Sequence, residues 1–263
     1  MIYFLAKGGT SLSYQSNTTP KVTLHRFEPV LSRIIKVRDV QDGEGLARLA
    51  ASRGYVRAMT DDGEEIFCCG SIRVRSEESG RVAFKINWKK NTAEDLPKLP
   101  LPRYHHSAVV VDGDLFIIGG CNIAGEPLAS VLILRKGQDE WEEGISMLYA
   151  RIGPGVAVLG DYIYAVGGTG VEKCLKTVER YHVGSHNIWE LVSVMNCSRV
   201  FAGVVAAGGS LFVFGGQTYA GTREDSGTRT VLRTCEKYDP CTDSWTALPD
   251  MSRGRCQMVT VTV

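Results

Sequence analysis

Long hydrophobic runs are missing from this chain of 263 residues: its apolar stretches are about one strand long, too short to cross a bilayer. The start, MIYFLAKGG, lacks the charged lead-in and the extended apolar core of a secretory signal. A dominant charge is missing too. Thirty basic residues face 29 acidic ones, for a net of +1, so composition makes no electrostatic case for nucleic acid or an anionic membrane. No stretch holds a helical period over a dozen residues, which points to an all-β chain. None of the eight cysteines forms a C-x-x-C pair, and most lie in or beside expected strands, where a reduced thiol serves as a small hydrophobe. That usage fits a reducing, cytoplasmic setting, and Asn17 and Asn196, which open N-x-S/T triplets, are read as chance matches.

Catalytic signatures are absent as well. There is no G-x-S-x-G, no Walker loop and no H-E-x-x-H. GGTG at 167–170 lacks the third glycine and the following helix of a dinucleotide loop. His182 and His186 flank a turn between expected strands, a poor setting for a metal. The sequence therefore predicts no catalysis, no cofactor and no metal.

What the chain has is repetition. Glycine pairs close apolar runs at Gly119-Gly120, Gly167-Gly168 and Gly215-Gly216, in steps of 48 residues. Trp141 and Trp189 keep the same step, and Trp245 follows after an inserted stretch, Gln217 to Thr230. Met147, Met195 and Met251 each stand six residues past a Trp, and Arg151, Arg199 and Arg255 ten past. Arg103 holds the same place in the preceding unit. Each unit reads as four strands, with a tight hairpin such as Asp112-Gly113 between the first two. A four-stranded sheet of this size cannot bury both faces alone, so stacking around an axis is expected. An indole buried between sheets removes on the order of 150–250 Å² from water, about 4–6 kcal/mol before entropy. The tryptophans are thus read as packing between sheets.

Double glycine, then Tyr, then Trp seven or eight residues later resembles the kelch repeat. Gly168, Tyr181 and Trp189 fit it, as do Gly216, Tyr238 and Trp245; Leu134 stands in the Tyr place of the unit before. Earlier units are degraded: Gly70-Ser71 stands for a glycine pair, Ala93 for a Trp, and Gly8-Gly9, Phe27 and Ile34 mark another copy. The resemblance implies an all-β kelch β-propeller of five four-stranded blades, although rings of six are common. The expected blades are 1–35 completed by 255–263, then 53–98, 103–146, 151–194 and 199–250, with a long connection near 36–52. Residues 255–263 read as a first strand that joins the opening strand and closes the ring. Met1 abuts that strand, as expected of a partial product.

The resemblance also implies a recognition surface. At one end of the ring, the linkers between blades and the loops after the glycine pairs converge on the channel mouth. Arg103, Arg151, Arg199 and Arg255 stand in those linkers, with Tyr104, Tyr149 and Phe201 beside them and Tyr219 and Arg223 in the inserted loop. Two readings stay open: the arginines line a rim that grips acidic peptides, or they brace the loops by bonding main-chain carbonyls. Kelch propellers often serve as client arms of BTB-kelch adaptors of cullin-3 ubiquitin ligases. The BTB and BACK domains needed for that docking are absent from this chain. Actin-binding scaffolds and kelch-fold enzymes of the epimerase or oxidase kind are the alternatives.

Overall fold

The computed structural model describes residues 2–6, 23–28, 33–39, 56–59, 64–70, 77–87, 90, 92–184, 188–219, 229–257 and 259–262. Five four-stranded antiparallel sheets are found among them. Sheet one joins β1 (Ile2–Ala6), β2 (Thr23–Glu28) and β3 (Arg33–Asp39) to the last strand of the chain, β22 (Val259–Thr262). Sheet two holds β4 (Val56–Met59), β5 (Glu65–Cys69), β6 (Ala83–Asn87) and β7 (Thr92–Asp95). Sheet three holds β8 (Ser107–Val111), β9 (Asp114–Ile118), β10 (Val131–Leu134) and β11 (Trp141–Gly144). Sheet four holds β12 (Gly155–Leu159), β13 (Tyr162–Val166), β14 (Val178–His182) and β15 (Trp189–Val192). Sheet five holds β16 (Gly203–Ala207), β17 (Ser210–Phe214), β20 (Cys235–Asp239) and β21 (Ser244–Leu248). The inserted stretch of this last repeat adds a small hairpin of β18 (Gln217–Thr218) and β19 (Thr230–Val231), which the sequence did not foretell.

Register repeats as faithfully as composition. Tyr181 lies opposite Trp189 and Tyr238 opposite Trp245. The degraded copies obey the same rule: Leu134 faces Trp141, Ile86 faces Ala93, and Phe27 faces Ile34. Strand β3 continues to Asp39, beyond the limit of 35 expected for the first unit, and stays paired with β2 as far as Thr23 across a bulge at Val37. The first strands of the sheets lie side by side in the order β4, β8, β12, β16, β22, and β22 also touches β4. Strand β22 pairs antiparallel with β1, Ile2 opposite Thr262 and Leu5 opposite Val259.

The core lies between sheets. Phe67, Cys69 and Ala83 of sheet two pack on Val110, Leu115 and Leu132 of sheet three. Phe116 and Ile133 of sheet three meet Ile163, Ala165 and Trp189 of sheet four. Tyr164 and Val178 of sheet four meet Leu211, Val213 and Tyr238 of sheet five. Middle strands such as β10 are therefore apolar on both faces, VLIL, instead of alternating. Each Trp also reaches back to the preceding repeat through its indole N–H. Trp141 donates to the Pro97 carbonyl (2.9 Å), Trp189 to Ile145 (2.8 Å) and Trp245 to Ser193 (2.8 Å). Packing between sheets, the role read from the sequence, is the role these three side chains have. Trp88 lies outside the described residues.

The recurrent hairpin at Asp112-Gly113 has φ of 53° and 90°, the pair of positive angles its two-residue turn requires. The glycine pairs answer to a different demand. A Cβ on Gly119 would lie 2.7 Å from the Arg151 carbonyl oxygen, and the carbonyls of Arg199 and Arg255 close on Gly167 and Gly215 in the same way. The second glycine of each pair donates its N–H to that same carbonyl: Gly120 to Arg151 (2.7 Å), Gly168 to Arg199 (2.7 Å) and Gly216 to Arg255 (2.8 Å). Glycine and arginine recur in phase because the linker into each following sheet is laid directly against the glycine turn.

Candidate functional site

The site is built where linkers and glycine turns meet. Residues one past the arginines bridge to residues one past the glycine pairs: Tyr104 with Cys121, Ile152 with Thr169, Val200 with Gln217. Linkers and post-glycine loops thus share one end of the molecule. Two residues past each arginine stand His105, Gly153, Phe201 and Gln257, all at positive φ (52°, 59°, 57° and 55°). They hydrogen-bond in series along the backbone. The Gly153 N–H donates to the His105 carbonyl (2.7 Å), Phe201 to Gly153 (2.9 Å), and Gln257 to Phe201 (2.9 Å). The His105 and Phe201 rings lie 5.2 Å apart, tilted by 54°. A Cβ on Gly153 would run into the Phe201 ring, so glycine there answers both the backbone angle and the neighbouring ring.

The arginines turn the other way. Arg103, Arg151 and Arg199 are 5%, 0% and 1% exposed, so they do not present guanidiniums to a client. Arg151 Nη1 donates to the carbonyls of Gly167 (2.6 Å) and Thr177 (2.8 Å). Its Nη2 reaches Thr177 Oγ1 (3.0 Å) and Glu179 Oε1 (2.8 Å), and its Nε shares that carboxylate oxygen at 3.1 Å. Arg199 repeats the pattern with Gly215, Thr234 and Glu236, the Nη2–Oε1 distance being 2.7 Å. Each carboxylate also collects linker N–H groups: Glu179 those of Leu148 (2.6 Å) and Tyr149 (3.1 Å), Glu236 those of Asn196 (2.7 Å) and Cys197 (3.3 Å). Of the two sequence readings, bracing is the one this geometry embodies for the three arginines. The physical reason is that orphaned carbonyls at the strand ends and a facing carboxylate offer a buried guanidinium all its bonds.

Arg103 is the exception within the set. It holds the Gly119 carbonyl (3.0 Å), the Ser130 carbonyl (2.8 Å) and Ser130 Oγ (2.8 Å), with no carboxylate among the described residues in reach of a hydrogen bond. Register explains why: Leu132 occupies, opposite Ile117, the place that Glu179 holds opposite Ala165 and Glu236 opposite Val213. The linker has changed with it, for Pro100, which has no N–H, stands where Leu148 and Asn196 donate. Burial pulls the Arg103 guanidinium down to about 10, with Cys69 and Glu143 opposing the shift. Burial also lowers Arg151, and there the adjacent Glu179 is the largest opposing influence.

The other expected site residues scatter. Tyr104 is fully buried against Gly80, where a Cβ would lie 2.7 Å from its ring, so it is a packing residue and not a contact for a partner. Tyr149 is exposed, with the Arg151 guanidinium 5.9 Å from its ring centroid. Phe201 is half-buried in the belt. Tyr219 is half-buried and donates its hydroxyl to Thr169 Oγ1 (3.0 Å), one residue past the glycine pair of sheet four. Arg255 is half-buried and contributes its carbonyl to Gly216. Arg223 and His186 lie outside the described residues. The sequence reading missed Glu179 and Glu236, whose signal was their recurrence two residues before Tyr181 and Tyr238. It also missed the column of His105, Gly153 and Gln257, two past each arginine.

His106 is 3% exposed, and neither ring nitrogen has a hydrogen-bond partner among the described residues. Its ring lies against Gly70, with Arg103 and His105 as charged and titratable neighbours and the Cys69 main chain close by. Burial first, then Arg103 and His105, hold it well below the ordinary histidine value; burial lowers His105 as well. Among the described residues no three His, Cys, Asp or Glu side chains gather as metal ligands, and no helix is long and apolar enough to cross a membrane.

Sheets of four antiparallel strands, packed face to face and tied by recurrent linker-to-glycine contacts, define a propeller-type repeat protein. The Kelch motif model matches residues 102–148, 150–196 and 198–252, more than half the chain, which therefore belongs to the kelch-repeat family. Human kelch-like protein 25 is 35% identical over 134 residues, covering 47% of this chain and 23% of that protein. Beta-scruin of Limulus polyphemus is 29% identical over 172 residues, covering 63% of this chain and 19% of that protein. The chain thus spans about a fifth of the length of these relatives. A solved structure titled "Structure of YjhT" superposes with a TM-score of 0.67 at 15% identity, over 91% of this chain and 80% of that one, a likeness of fold.

Proposed function

We propose that the chain is a closed five-bladed kelch propeller acting as a non-catalytic protein-recognition module. Its blades are 1–35 with 255–263, 53–98, 103–146, 151–194 and 199–250, the first lengthened to Asp39 by β3. Support for the ring comes from the pairing of β22 with β1 and from first strands that adjoin in a cycle. The observation that carries recognition is the belt at His105, Gly153, Phe201 and Gln257, where side chains unlike one another are held on a repeated backbone linked in series by hydrogen bonds. Such a frame keeps geometry fixed while contacts vary, as a binding surface on a rigid scaffold requires.

The reading extends to a BTB-kelch adaptor of cullin-3, working in the cytoplasm, with docking supplied by BTB and BACK domains outside this chain. Similarity to kelch-like proteins supports it. An actin-binding or scaffold role is the second reading, favoured by the similarity to beta-scruin, which runs over more of the chain. Client capture by the full chain, followed by hydrogen-exchange footprinting, tests recognition. Protection is expected at the linkers 99–106, 147–153 and 195–201; protection confined to the outer strands β7, β11 and β15 would refute the site. Co-sedimentation with actin filaments separates the two readings.

A further inference from the structure

Beyond recognition at the belt, and without resting on it, we propose that the outer edge of sheet four takes up an extended apolar segment of another protein as an added strand. Strand β15 ends its sheet, as β7, β11 and β21 end theirs, so one side of its main chain has no strand beside it among the described residues. In all four sheets the residues one before, two after and five after the Trp place are exposed. They are Thr92, Asp95 and Lys98 in sheet two, Glu140, Glu143 and Ser146 in sheet three, and Ser244, Ala247 and Asp250 in sheet five. Charged side chains on an edge discourage pairing with other chains. Sheet four holds Ile188, Leu191 and Val194 in these places, 62%, 48% and 54% exposed. Packing does not call for them, since the sister sheets fill the same places without a large apolar side chain.

The apolar edge continues into the junction with sheet three. Trp189 donates its indole N–H to the Ile145 carbonyl, Leu148 donates its N–H to Glu179 Oε2, and Glu179 lies opposite Leu191. Residues paired across a ladder share a face, so Leu191 stands on the side of the linker that carries Ile145 and Leu148, both exposed. The matching places are Pro97, Pro100 and Glu143 between sheets two and three, and Ser193, Asn196 and Ala247 between sheets four and five. Of these three junctions, one is lined by three large aliphatic side chains. The single charged residue of β15, Glu190, is bonded to Arg180 (2.6 Å), so an uncharged segment is the complement of this edge. A second copy of the chain is the poorer occupant. Four strand residues and a few half-exposed side chains fall well short of the about 800 Å² per partner of a stable interface. A short added strand needs no more: the edge supplies main-chain hydrogen bonds and the junction supplies side-chain contacts.

Panning a displayed library of random peptides on the full chain supplies the probe, and synthetic copies of the recovered peptides are then measured on variants that copy the sister sheets. One variant combines Ile188→Ser, Leu191→Ala and Val194→Ser; the other is Leu148→Asn. Peptides with apolar residues at alternate positions should protect 188–194 and 145–148 from hydrogen exchange. Their affinity should fall about tenfold or more on the triple variant and about threefold or more on Leu148→Asn. Alternate N–H groups of a strand point to opposite sides, so N-methylation of every second peptide N–H should abolish binding in one phase and spare it in the other. Equal effects of the two phases would overturn strand addition. If the triple variant fails to fold, Leu148→Asn and the methylated peptides decide. Recovered peptides that all protect 99–106 and 195–201 and ignore both variants would overturn the inference and leave recognition standing. Edge peptides alone would uphold it and count against the belt. Recovery of no peptide would overturn both, and a parent chain whose dimer the triple variant abolishes would assign the edge to a second copy and overturn the inference.

Discussion

Sheets four and five seat their incoming linkers on a buried ion pair; sheet three seats its own on carbonyls and a serine alone. In the first arrangement Glu179 or Glu236 neutralises an arginine and also binds two linker N–H groups. In the second, Leu132 fills the carboxylate's place and Pro100 removes one of the donors that would have needed it. The two changes fit each other. Buried donors must be bonded or deleted, and sheet three deletes where the others bond. The cost, among the described residues, is a buried guanidinium with no hydrogen bond to a carboxylate, beside a histidine whose ring nitrogens have no hydrogen-bond partner.

Breaking the ion pairs should have the largest effect. Glu179→Ala or Glu236→Ala leaves a buried cation and two linker N–H groups unanswered, and should cost about 3–5 kcal/mol in urea denaturation. Leu132→Ala, an ordinary core truncation, should fall at the lower end of about 2–5 kcal/mol. Equal losses from Arg103→Met and Arg151→Met would erase the distinction between the sheets.

Acid should act on sheet three next. The folded chain holds His106 and His105 below the ordinary histidine range, while the unfolded chain binds their protons near pH 6.5. The unfolded state therefore carries more protons as pH falls past that value. Stability should be level above about pH 7.5 and drop below about pH 6.5 by up to about 1.4 kcal/mol per pH unit for each histidine. His106→Ala, which copies Ala202 in the matching place of the fifth repeat, should flatten this slope. A slope unchanged in that variant would remove His106 from the account.

A smaller effect is expected from rebuilding the clamp. Leu132→Glu loses apolar packing but returns a carboxylate to Arg103. It should be tolerated better in the parent than in an Arg103→Met background, with a coupling of about 1 kcal/mol by double-mutant cycle. No coupling would mean that position 132 and Arg103 do not meet as Glu179 and Arg151 do.

The sequence carried the fold in its repeats because a repeated contact leaves a repeated letter. Glycine pairs mark the close approach of arginine carbonyls, and Tyr181 and Trp189 mark a cross-strand pair that even Phe27 and Ile34 preserve. The direction of an arginine leaves no such mark. Arg151 is buried because Glu179, 28 residues on, lies on the third strand of its own sheet, a relation visible only once register is known. The belt was hidden for the opposite reason: its backbone repeats while its residues, His105, Gly153, Phe201 and Gln257, do not. Recurrence in sequence thus pointed to braces, and the candidate contacts stand in the column that varies.

The measurement that bears most directly on the central claim is a double-mutant cycle on Arg151 and Glu179, followed by urea denaturation. If the arginine is a buried brace, Arg151→Met and Glu179→Leu should each be strongly destabilising. The double variant should be more stable than either single variant, because no orphaned charge remains. Additive effects, or an Arg151→Met variant as stable as the parent, would return the arginine to the surface and contradict the account.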